Sequence, residues 1–117
     1  MYVGGFVLAV KTDRKADYLK MATEASQLFL NAGATRVVEC WGVDVPEGEV
    51  TSFPMSVKCE PDETVLFSWI EFPDKAAYDA CMAKLDAEGA MEMTDETRAV
   101  MDPRRMIFGG FEAILDT

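Results

Sequence analysis

Three of the four strand-like runs in this 117-residue chain are apolar on both alternating faces. A strand with one wet face alternates apolar and polar residues, so two apolar faces require two covers. Residues 2–10, YVGGFVLAV, are rich in Val and aromatic residues, and Lys11 to Asp13 close the run. Residues 64–72, TVLFSWIEF, form the strongest strand in the chain, and 105–115, RMIFGGFEAIL, the last. The fourth run, 35–41, TRVVECW, is shorter.

Two helices separate these strands. Over 13–32 the residues Tyr18, Met21, Ala22, Ala25, Leu28, Phe29 and Ala32 recur at three- and four-residue spacing. Thr12 or Asp13 is expected to cap this helix, and Gly33 suits its left-handed stop. Pro73-Asp74 ends the third strand and starts a helix over 74–86, with Ala77, Ala80, Cys81 and Leu85 as its apolar stripe. Residues 42–62 hold Gly42, Pro46, Gly48, Pro54 and Pro61, and read as a long connection with an extended arm at 50–58, serving as a lid or an inter-subunit arm. Residues 87–103 are Met-rich and charged, with a short helical turn expected within 91–100.

The order is β-α-β, long loop, β-α-β. It predicts an α+β, ferredoxin-like βαββαβ domain over 1–117: a four-stranded antiparallel sheet with both helices on one face. The helices leave the other apolar face open. A second copy is the cheapest cover, so a homodimer with sheets face to face, a dimeric α/β barrel, is expected.

Charge and missing residue types narrow the function. There are 21 acidic and 11 basic residues, a net charge of −10, which repels nucleic acid and anionic membrane surfaces. Residues 1–40 carry five basic and four acidic groups, so the excess lies in the remainder. Histidine is absent, which removes Ser-His-Asp and Cys-His nucleophile systems and His-ligated haem or zinc. No cofactor and no metal is expected. Cys40, Cys59 and Cys81 form no CxxC pair and read as reduced thiols, which with the lack of a leader or a membrane-length apolar run points to the cytoplasm.

Few residues can then carry chemistry. Alternation puts Val37, Glu39 and Trp41 on one face of the second strand, and Val65, Phe67, Trp69 and Glu71 on one face of the third. Each strand thus pairs a tryptophan with a carboxylate. Either the tryptophans fill core and the carboxylates lie in water, or they build a pocket with an aromatic wall and a desolvated carboxylate of raised pKa. In the second case Glu39 and Glu71 are the catalytic candidates, and Trp41 and Trp69 bind ligand. Arg36 and Arg105 pair with Glu39, Glu71 or Glu112, or Arg105 holds an anionic ligand. Gly4-Gly5-Phe6 and Gly109-Gly110-Phe111 repeat one tripeptide on strands expected to be neighbours. They allow close packing or a ligand floor, with Phe111 as a further ligand-binding candidate. The acidic clusters Glu60/Asp62/Glu63 and Glu92/Asp95/Glu96 read as solvated, and the methionines as soft packing.

Four blocks together resemble the YbaA-like proteins, domain-of-unknown-function family 1428: YVGGFVLAV, RVVECWGVDVPEGEVTSF at 36–53, VLFSWIEFPDKAAYDA at 65–80, and RRMIFGGFEAILD at 104–116. The resemblance spans nearly the whole chain and implies the dimeric α/β-barrel fold. That architecture is similar to antibiotic-biosynthesis-type monooxygenases, muconolactone-isomerase-like enzymes and haem-degrading enzymes, and the missing histidine argues against the last. The family brings no assigned activity and no catalytic residues. The expectation is a cytoplasmic homodimer with a small apolar pocket. It would run cofactor-independent monooxygenase- or isomerase-like chemistry on a small aromatic or carbonyl compound, or serve without catalysis as a binding or dimerisation module.

Overall fold

A computed structural model describes residues 1–117. Four strands form one sheet: β1 (Tyr2–Lys11), β2 (Arg36–Trp41), β3 (Glu63–Phe72) and β4 (Ile107–Glu112). Their order is β2-β3-β1-β4 and every pairing is antiparallel. Helix α1 (Lys15–Asn31) links β1 to β2, and α3 (Lys75–Ala87) links β3 to β4. This is the expected α+β, ferredoxin-like βαββαβ arrangement, with two short helices added: α2 (Phe53–Ser56) and α4 (Asp95–Val100). No helix is long and apolar enough to cross a membrane.

Register assigns the faces. Gly4 pairs with Ile70 and Gly110, Leu8 with Leu66, and Val37 with Ile70, so these residues share one side. That side meets the helices. Leu8, Val10 and Leu66 pack with Val100 and Met101, and Ile70 and Phe72 pack with Cys81 and Leu85 of α3. The other side carries Val3, Val7, Phe67, Trp69, Ile107 and Phe111. Neither long helix lies over these six, and of the short ones α2 reaches only the edge, where Phe53 meets the Phe67 ring at a centroid distance of 5.6 Å. Phe67, Ile107 and Phe111 keep 47%, 46% and 60% of their surface exposed, which leaves a broad apolar sheet face.

Local chemistry explains the element ends. Asp74 accepts a hydrogen bond from the Ala77 amide at 2.8 Å and caps α3. Gly33, at φ +118°, lets the chain leave α1. Neither Thr12 nor Asp13 caps α1: a 3-10 turn, Thr12–Arg14, precedes the helix, and Thr12 Oγ1 instead meets Thr64 Oγ1 at 2.7 Å. The expected extended arm at 50–58 holds the short helix α2, because Ser52 accepts from the Met55 amide and Pro54 fits the first turn. The last strand starts at Ile107 and not at 105, since Asp102 and Pro103 set up a 3-10 turn over Pro103–Arg105.

That turn aims Arg105 at Glu63. The guanidinium donates to both carboxylate oxygens at 2.7 Å, and to the carbonyls of Lys58 at 2.9 Å and Val57 at 3.4 Å. Glu63 also accepts from the Glu60 amide at 2.9 Å. Its side chain is 1% exposed, so the solvated reading of Glu63 is corrected. The clasp holds the arm that follows α2. Val57 of this arm packs against Val7, Ala9 and Val65 and covers one end of the open sheet face. Replacing Arg105 with Ala leaves a buried carboxylate unpaired and is expected to cost about 3–5 kcal/mol. The Arg105 hydrogen bond holds the Glu63 carboxyl below its ordinary pKa. The contribution of the pair is therefore present above the unfolded glutamate value and lost as pH falls through the lowered one. Urea unfolding of wild type and Arg105→Ala at pH 7 and pH 3 should show a gap that narrows in acid. An equal gap at both pH values contradicts this assignment.

Candidate functional site

Helix α1 presents small residues to the sheet. Tyr18, Ala22, Ala25 and Phe29 follow the helical repeat, and the two alanines and Ser26 leave space between the rings. Above them lie Val37, Glu39 and Ile70 of the sheet. The result is a cavity of about 270 Å³ between the helix layer and the sheet, with 14 of its 19 lining residues apolar. Met82, Met91, Met93 and Met106 form much of one wall. Met91 and Phe108 are 44% and 73% exposed and mark its side toward solvent.

Glu39 is the acidic group of this cavity. Tyr18 Oη donates to Glu39 Oε1 at 2.5 Å and lies 3.1 Å from Oε2. Burial pushes the Glu39 carboxyl above the ordinary 4.5, against the opposing effect of the Tyr18 hydrogen bond. Burial and the adjacent carboxylate together push the Tyr18 phenol well above its usual range. Tyr18 is thus a fixed proton donor to Glu39. Ser68 stands directly across the strand pair from Glu39 and is fully buried. Its hydroxyl eases the carboxylate's charge slightly but makes no properly formed hydrogen bond.

The structure separates the other candidates. Val38, not Trp41, is the cross-strand partner of Trp69, so the two tryptophans lie on opposite faces. Trp41 shares the helix face with Glu39 but packs beside the Leu8 and Val10 cluster, with Lys15 Nζ 5.1 Å from its ring centroid. Trp69, Glu71 and Phe111 belong to the open face. There Trp69 Nε1 donates to Glu71 Oε2 at 2.9 Å, and Arg36 pairs with the same oxygen at 3.4 Å. Arg105 is bound to Glu63 and does not line the cavity, so it meets none of its expected partners. Gly110 serves packing, while Gly4, Gly5 and Gly109 also line the cavity, as the floor alternative expected. Gly4 pairs with Gly110 and Gly5 with Gly109. A Cβ on Gly110 would fall 2.2 Å from the Tyr2 hydroxyl, and one on Gly4 3.3 Å from the Tyr78 ring. A small apolar pocket is expected from sequence, but its place between α1 and the sheet is not, and of the named catalytic and ligand-binding side chains only Glu39 lines it. Tyr18 reads as ordinary helix core, and only the density of methionines between 82 and 106 hints at an adaptable wall.

Known proteins align with this chain over its length. Residues 1–103 match the family model described as "Protein of unknown function (DUF1428)". The "Uncharacterized protein YbaA" of Escherichia coli (strain K12) is 50% identical over 115 residues, covering 98% of this chain and 97% of the relative. The Shigella flexneri protein of the same description matches equally. Among solved structures, a dimeric ferredoxin-like protein from an uncultured marine organism superposes with a TM-score of 0.64. It covers 100% of this chain and 98% of its own, at 12% identity, a likeness of fold.

Glu39 dictates a pH signature. Its folded pKa is raised, so the folded chain keeps that proton above pH 4.5, where the unfolded chain loses it. Stability from this group is full below the unfolded value and lost as pH rises through the folded one. Carbon-13 NMR of labelled glutamate carboxyls should find one titrating above 4.5, absent in Glu39→Gln. It should move higher still in Tyr18→Phe, which lacks the hydrogen bond favouring the carboxylate. Titration of Glu39 at or below the ordinary value contradicts the desolvated site.

Proposed function

The chain belongs to the DUF1428 family, and from that premise we propose that it is a homodimer in which each subunit binds one small, mainly apolar molecule in the cavity against Glu39. The observation that carries the reading is a single carboxylate, held by Tyr18, in an otherwise apolar space of about 270 Å³. An engineered cavity of about 150 Å³ accepts benzene. By that measure the space suits a molecule of roughly one to two rings.

Homodimer formation follows from the open sheet face. Val3, Val7, Phe67, Trp69, Ile107 and Phe111 make a contiguous apolar patch that a second copy would bury. The dimeric description of the solved neighbour supports the same arrangement. The three cysteines are free, which supports a reducing, cytoplasmic setting.

If the site is catalytic, Glu39 takes a proton from one position of the ligand and returns it at another, an isomerase-like shift that needs no redox partner. Monooxygenase-like chemistry would use the same proton acceptor. A specific observation favours the non-catalytic reading. The other side-chain hydroxyls in the lining are those of Ser26, eight residues along α1 from Tyr18 and so about 12 Å further along the helix, and of Tyr78 on α3, whose ring packs against Tyr2 and Phe72. Neither hydroxyl bonds to Glu39, and Ser26 spends its own on the Thr23 carbonyl, so no second donor is in place beside Glu39 to hold a developing oxyanion.

Native mass spectrometry of gently purified protein is expected to give a dimer carrying one small adduct per subunit. Ala22→Phe, which fills the cavity, should give a dimer without the adduct. Phe111→Lys on the open face should give monomers. A bare wild-type dimer argues against the pocket, and a wild-type monomer against the assembly.

A further inference from the structure

The cavity's chemistry narrows the ligand beyond its size, and this step rests on the proposed binding function. Glu39 is its sole ionisable carboxylate, and no lysine or arginine lines it. Arg105, the one cation expected there from sequence, spends its guanidinium on Glu63 and the Lys58 carbonyl. A carboxylate, phosphate or sulfate ligand would give up its hydration with no cation to repay it, and would also meet a like charge whenever Glu39 is ionised. Anions are therefore excluded by the residues that are present.

Cations fit little better. An ammonium would have to give up its hydration for one carboxylate in a wall of Met, Phe and Ala side chains. A pair of charges buried that way is seldom repaid by its own attraction. Burial also favours the neutral form of Glu39, which weakens the counter-charge further.

A neutral ligand must satisfy Glu39 in whichever state it holds its proton. The carboxylate has about four lone-pair sites, and Tyr18 brings one proton to them. Acceptor capacity is left over, and Ser68, buried without a hydrogen bond behind Glu39, does not fill it well. A ketone can only accept, so it suits the protonated acid alone. A hydroxyl donates to the carboxylate and accepts from the acid, and suits both. Beyond this end the lining is mostly apolar from Ala22 to Phe29, with Ser26 spending its hydroxyl on the Thr23 carbonyl and Tyr78 presenting a ring packed against Tyr2 and Phe72. The methionines offer sulfur to aromatic ring edges, a favourable contact that tolerates varied ring shapes.

We propose that the ligand is an uncharged aromatic alcohol: one or two rings bearing a single hydroxyl, bound hydroxyl-first to Glu39 with the rings between α1 and the methionine wall. Tyr18 acts as a positioning residue, since it reaches the ligand only through Glu39.

Isothermal titration with four probes of one shape tests this: 2-naphthol, naphthalene, 2-naphthoate and 2-naphthylmethylammonium. 2-Naphthol should bind once per subunit, roughly tenfold to a hundredfold tighter than naphthalene, as for a hydrogen bond to a charged group. In Glu39→Leu, of similar bulk, naphthalene binding should persist and the preference for naphthol should vanish. Should that variant not fold, Glu39→Gln keeps a weaker acceptor and should reduce the preference severalfold. Equal binding of naphthol and naphthalene to wild type overturns the ligand class while leaving the pocket intact. So does tighter binding of naphthoate or the ammonium, or a preference that survives Glu39→Leu. Failure of all four probes overturns the binding function itself.

Discussion

The structure depends on a sheet that is apolar on both sides while its connections supply helices for one. Right-handed crossovers place α1 and α3 together, and the core gathers where they meet Leu8, Leu66, Ile70 and Phe72. On the opposite side the chain has only the 42–62 connection to offer. Val57 covers Val7, Ala9 and Val65 at one end, and the rest stays open. A short arm of this kind has little apolar area of its own. A buried carboxylate beneath it and an arginine fork from a distant turn hold it in place. The ion pair's value lies in where it pins the arm, because buried pairs contribute little net stability over an apolar substitute.

Face assignment also decides what each acidic residue can do. Glu39 and Glu71 lie on adjacent strands, each two residues from a tryptophan. Glu71 faces the open side, where Trp69 and Arg36 engage one of its oxygens. It is a held structural anion at the edge of a surface. Glu39 faces the helices, where it is half-buried and its only strong partner is a neutral phenol. Desolvation without a cation leaves that carboxylate with unspent capacity to accept a hydrogen bond or a proton. Two residues of the same type on paired strands thus differ because they stand three register positions apart, and an odd offset turns them to opposite faces.

The sequence made much of this legible. Four strands, two long helices and their order follow from apolar period and turn residues, and the need to cover a second face follows from two-sided strands. Alternation within each strand is also correct. Alternation between strands is not available from sequence, because it depends on register: Val38 opposite Trp69 sends Trp41 and Trp69 to opposite faces. Arg105 reads as a strand residue until Asp102 and Pro103 are seen to fold a turn just before β4. Glu63 sits in an acidic run that looks solvated, and only the tertiary approach of Arg105 makes its burial tolerable. A pocket is expected from the apolar composition, but its position leaves hardly a trace, since a void is the absence of side chains from several elements at once.

That absence has an energetic meaning. An unfilled space forfeits dispersion contacts along its walls, and that cost grows with its volume. Larger side chains at Ala22 and Ala25 would fill it with no change to the helix pattern. The chain instead keeps alanines there, places a desolvated carboxylate at one end, and lines the solvent side with flexible methionines that can close on contents of varied shape. Exposure near Met91 and Phe108 relieves part of the cost by letting the space open to solvent. A ligand would relieve the rest, by restoring dispersion contacts to the walls and giving Glu39 the partner that Tyr18 alone does not supply.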